Sequence, residues 1–143
     1  MCLSIYKKGK KITIDDVIKI AKEDIVVYKR LRVSIYSNKI LTPYQSHLVD
    51  SNGDFLIVEK FTESESFGYI DICKGIHSYS DLETAERMSS CLEIIVKSII
   101  PKDTPYIKYS GQILSLILII PPLDGESVVH SKQNLKYVGQ KKR

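Results

Sequence analysis

The run Ile113-Leu114-Ser115-Leu116-Ile117-Leu118-Ile119-Ile120 constrains this chain more than any other stretch. Seven of its eight residues are apolar and four are β-branched isoleucines, which lose side-chain freedom in a helix and pack well on a pleated surface. Near-continuous apolarity implies burial on both faces, so the run is expected to be a strand lying centrally in its sheet. At about half the length a helix needs to cross a bilayer, it is not expected to insert in a membrane.

The rest of the chain supplies further strands for such a sheet. Asp24 to Tyr36 alternates with period two: Val27, Leu31, Val33 and Ile35 share one face, and Tyr28, Arg30, Arg32 and Tyr36 the other. Thr42-Pro43 and Asn52-Gly53 punctuate the next stretch of chain. DFLIVEKF and FGYIDIC read as strands on either side of a polar turn, EIIVKSII as another, and Pro101 to Pro105 as a turn before YIKY. Two short helices are expected. One covers about 14–22, from the Thr13/Asp16 capping pattern, and one about 80–92, from the Ser80-x-x-Glu83 box with an apolar stripe at Leu82, Ala85, Met88 or Ser89, and Leu92. The fold class is therefore α+β with a mainly antiparallel sheet of about 5–7 strands, as a single domain over residues 1–131.

Composition fits one globular unit: 143 residues, 43% hydrophobic and 27% charged. The net charge of +4 hints at an anionic partner, yet its distribution argues against a duplex-binding surface. Residues 1–29 carry seven lysines against four acids, 132–143 carry five basic residues and no acid, and the segment between is net acidic at −4. The segment 132–143 reads as a basic, solvated tail. Cys2, Cys73 and Cys91 are odd in number and irregularly spaced, so neither a disulfide framework nor a zinc site is expected. With no secretory pattern at the start, a cytoplasmic setting is the expectation. His47 and His130 have no neighbour at metal-ligand spacing, and no phosphate-loop, H-E-x-x-H, G-x-S-x-G or dinucleotide fingerprint occurs. Neither a metal nor a cofactor is expected. Cys2 as an amino-terminal nucleophile lacks the rest of its machinery.

Two places carry candidate ligand chemistry. In KGIHSYSD, His77, Ser78 and Tyr79 put an imidazole, a hydroxyl and a phenol at the expected mouth of the second helix, where free N–H groups suit an anion. Ser80 as a plain cap and His77 as a structural hydrogen-bonder is the alternative there. Tyr28, Arg30, Arg32 and Tyr36 offer rings and guanidinium forks suited to nucleotides, and equally describe the wet side of an edge strand.

Tyr28-Lys29-Arg30-Leu31, Gly75-Ile76-His77-Ser78-Tyr79 and Ile100-Pro101-Lys102-Asp103-Thr104, in that order before a terminal apolar strand, resemble the ADP-ribosyltransferase pattern. The same order is similar to small uncharacterised proteins of phages and gut bacteria with G-F-H-S-Y and I-P-K-G-T segments. Where that family places its catalytic glutamate, this chain has no acid between Asp103 and Asp124. Transfer from NAD needs a carboxylate to stabilise an oxocarbenium-like centre, so the resemblance implies a scaffold without the reaction. The resulting expectation is a non-catalytic binding protein for a nucleotide-like or other anionic small ligand, or for a protein partner, with no catalytic residue. If the chain is phage-encoded, the resemblance permits sequestration of a host immune nucleotide in the host cytoplasm. Two other classes stay open: a transferase using Glu93 or Asp103 as its acid, and a structural component of an oligomeric assembly.

Overall fold

The computed structural model describes residues 3–34, 39–43, 48–90, 92–124 and 126–131. Its elements begin with β1 (Leu3–Tyr6), α1 (Ile14–Val17), β2 (Lys19–Ile20), β3 (Ile25–Val33), β4 (Ile40–Leu41) and β5 (Leu48–Val49). They continue with β6 (Asp54–Ile57), β7 (Glu63–Ser66), β8 (Tyr69–Ile72), β9 (Ile76–Tyr79) and α2 (Leu82–Met88). The last are β10 (Glu93–Ile100), β11 (Pro105–Tyr109), β12 (Gln112–Ser115), β13 (Ile117–Ile120) and β14 (Val128–Ser131).

All pairings among the described residues are antiparallel, in one sheet of 11 strands and one of 3. The expected 5–7 strands are too few, because short rungs such as β2 and β4 have no periodicity of their own and exist only through their partners. Both helices are shorter than expected. The first stops at Ile18, whose backbone is extended, and Lys19–Ile20 then pair with Pro105 and Tyr106. The second stops at Met88, where Ser89 turns extended and the chain moves on into β10.

The apolar run is two strands. β12 pairs with β11 and β9, whereas β13 pairs with β10 and β6, and only Leu116 separates them. A hydrogen-bonded path from β12 through β9, β3 and β10 thus arrives at β13 and returns to the same stretch of chain. The sheet is curled on itself. The kink at Leu116 shifts the side-chain alternation by one: Ile113 and Ser115 are buried before it, Leu118 and Ile120 after it. The inner face holds the main core, including Val27, Leu31, Ile94, Val96, Ile100, Ile113, Leu118 and Ile120.

Two caps cover parts of the outer face. The three-stranded sheet β1–β8–β7 sets Leu3, Ile5, Ile70 and Ile72 against Ile107 and Leu114. Helix α2 sets Ala85 against Tyr79 and Ile95. Gly75 lets β9 enter this packing: its φ is +148°, and a Cβ there would stand 3.2 Å from the Cβ of Leu114.

Cys73, directly after β8, is disulfide-bonded, although the cysteine count and spacing suggest no disulfide framework; its partner lies outside the described residues. Odd spacing in sequence carries no information about a bond between distant segments. Among the described residues, no helix is long and apolar enough to cross a membrane.

Candidate functional site

The sequence-derived ligand residues meet at the seam between β3 and β9. These two strands share one Cα register pair, Tyr28 opposite Tyr79. Side chains alternate, so residues two along from this pair, Arg30 and His77, join Tyr28 and Tyr79 on the outer face. Lys29 and Ser78 take the inner face. Four of the six expected residues therefore share one wall with Arg32, while Ser78 points to the opposite side.

His77, Ser78 and Tyr79 are not at a helix mouth. They form β9, and their register partners are Leu114, Ile113 and Gln112 on β12. The N-terminal cap of α2 is Asp81 rather than Ser80: its Oδ1 accepts from Thr84 N at 2.7 Å and its Oδ2 from Thr84 Oγ1 at 2.9 Å. These bonds hold the Asp81 carboxyl below its usual range. Ser80 Oγ instead donates to Gly111 O.

On the outer side, Arg30 is 6% exposed. Its Nη1 donates to Met88 O, the last carbonyl of α2, where the helix dipole favours a cation. Its Nε lies 3.6 Å from Glu93 Oε1, and its guanidinium stands 5.7 Å from the centroid of the Tyr79 ring. Glu93 Oε1 also accepts from Ser90 N at 2.7 Å. Arg30 thus fastens α2 to the sheet. Arg32 is exposed, is the register partner of Glu93, and donates through Nη2 to Pro43 O.

The inner side contains what sequence reasoning missed. Lys29 is buried in the main core beside Val27, Leu31 and Val96, and its Nζ donates to His77 O at 2.7 Å. That carbonyl sits where the β3–β9 ladder ends, and the lysine satisfies it. Burial brings the Lys29 ammonium down to about 7 from 10.5; the Arg30 charge pushes the same way and Glu93 opposes. No carboxylate is bonded to Lys29 among the described residues. On the same inner face Ser78 Oγ is buried without a hydrogen-bond partner; Ser115 Oγ and Thr104 Oγ1 are likewise buried and unpartnered. The signal for Lys29 was present in the sequence: strict alternation places it between Val27 and Leu31 on the apolar face.

Among the described residues no group of three or more His, Cys, Asp or Glu could hold a metal ion. His130 Nδ1 lies 3.5 Å from Glu86 Oε1. Cys2, Tyr36, His47 and the segment 132–143 lie outside the described residues. Comparison with protein-family models, curated proteins and solved structures finds no match.

Proposed function

We infer that this chain is a non-catalytic binding protein that takes a small anionic ligand, phosphate-bearing or nucleotide-like, at the β3–β9 seam. One observation carries the reading: Lys29, a buried ammonium with no carboxylate bonded to it, shares the inner face of the seam with an unpartnered buried hydroxyl, Ser78. Buried polar groups normally have partners, and an anion would satisfy both while relieving the cost of the lysine charge. On β3, Lys29 faces inward and Arg30 and Arg32 outward, and the carboxylate near them is Glu93 on the neighbouring β10, paired to Arg30, which leaves the locality positive. With one rung between β3 and β9, the seam is also a weakly paired place in the curled sheet, where a ligand can part the strands. Sequestration of a host nucleotide, the role the resemblance permits, belongs to this same reading.

Titration calorimetry with inorganic phosphate, AMP and ADP-ribose tests it. At least one of these probes binds the wild type, and Lys29→Met weakens that binding by tenfold or more. No heat with any of the three removes the reading. The transferase alternative needs a carboxylate free to act on NAD, and Glu93 already serves Arg30 and Ser90. Incubation with labelled NAD, read as cleavage or protein labelling, separates the two.

A further inference from the structure

Away from the seam, the outer face carries a row of apolar side chains in register across four strands. Val26 is the partner of Ile99, Ile99 of Ile119, and Ile119 of Phe55; Ile57 lies two residues beyond Phe55 on the same face. Val26, Phe55 and Ile57 are 46%, 51% and 65% exposed, more than scattered surface apolar residues require. The row ends on β6, which closes one end of the 11-strand path and pairs only with β13 among the described residues. Val58 N donates to Leu116 O on the β13 side. Antiparallel alternation then directs the backbone N–H and C=O of Phe55 and Ile57 outward.

We propose that β6 is a self-association edge at which a second copy of this chain pairs antiparallel about a two-fold axis through Leu56. Each Phe55 then exchanges both backbone hydrogen bonds with Ile57 of the second copy, and the phenyl ring lies against an isoleucine, a favourable cross-strand pair. The charges are self-complementary in this register. Asp54 falls opposite Val58 of the second copy, with Lys60 of that copy two residues further on and diagonally adjacent. In the single chain Asp54 Oδ1 accepts from Phe55 N at 2.7 Å, shielding the edge. Pairing hands that N–H to the second copy's Ile57 carbonyl and frees Asp54 Oδ1 to meet the lysine, while Oδ2 keeps its bond from Asp50 N at 3.0 Å. Four residues of edge make a modest contact, so the dimer is weak and concentration-dependent.

Sedimentation velocity from low micromolar to several hundred micromolar protein reads the assembly directly. A dimer fraction rising with concentration is expected. Ile57→Lys weakens it at least tenfold, and Lys60→Glu weakens it less. Leu48→Lys, at a residue 56% exposed on β5, leaves it unchanged. Hydrogen exchange on the wild type serves where a variant fails to fold: the Ile57 amide slows as concentration rises. A species that stays monomeric throughout, or a dimer in which neither Ile57→Lys nor the Ile57 amide responds, overturns the proposal.

Discussion

Lys29 shows how one residue can sit against the pattern around it. The alternation that puts Val27, Leu31 and Val33 inside puts Lys29 inside with them, and the chain meets the cost by lowering its proton affinity and bonding Nζ to His77 O. Its linkage to stability has a definite sign. The unfolded chain keeps the proton up to about 10.5 and the folded chain only to about 7, so between these values the unfolded state binds more protons. Stability therefore rises with pH across that window, by at most about tenfold in the folding constant per pH unit, and the burial penalty is fully present below it. Lys29→Met is expected to flatten the slope and to stabilise the protein most at about pH 6, less the roughly 1 kcal/mol lost when His77 O forfeits its donor. Urea denaturation at about pH 6 and about pH 9 measures both variants, and an unchanged slope in Lys29→Met refutes the assignment. Arg30 was harder to read. The same alternation predicts its side of the sheet, but the wet outer surface expected there is covered at Arg30 by α2, and nothing local reveals that Glu93, sixty-three residues on, lies within salt-bridge distance.

At the scale of elements, start signals were legible to within a residue and stop signals were not. Thr13 and Asp16 do make the expected contact at α1, where Thr13 N donates to Asp16 Oδ2 at 2.7 Å. For α2 the true cap lies one residue past the expected Ser80, because an aspartate places two acceptor oxygens where both Thr84 N–H and Thr84 Oγ–H can reach them. The helices then end early through long-range pairing: Lys19–Ile20 are drawn to β11 and Glu93 onward to β3, and no local propensity encodes those partners. Asp81 also makes α2 acid-sensitive. Its carboxyl is held below the usual range, so its contribution is present above the unfolded value and is lost as pH falls through the folded one. Asp81→Ala is expected to fray α2 already at neutral pH and to remove this acid limb; faster amide exchange at Thr84 and Ala85 is the measurement. Equal protection at Thr84 in both proteins would show that the cap is dispensable.

At the scale of the whole molecule, the stretch Ile113–Ile120 decides the architecture, by a route its composition does not reveal. Apolarity on both sides did foretell a place inside the sheet, and β12 and β13 each have neighbours on both edges. What eight residues cannot state is that their two halves join different regions of one sheet and so draw it into a curl around Lys29 and Ser78. The three-stranded sheet is the opposite case. Only β1 and β8 give it buried apolar side chains, since β7 reads Glu-Ser-Glu-Ser, and an isolated small sheet of this kind is marginal. The disulfide at Cys73, one residue past β8, limits the open states available to that strand. Reduction should therefore loosen the small sheet before the curled one. In dithiothreitol, amides of Leu3–Tyr6 and Tyr69–Ile72 are expected to exchange at least tenfold faster, while those of Val27 to Leu31, in the strand paired most extensively to β10, hold their protection. Uniform acceleration across both sheets would mean that they unfold as one unit and that the bond steadies the entire molecule.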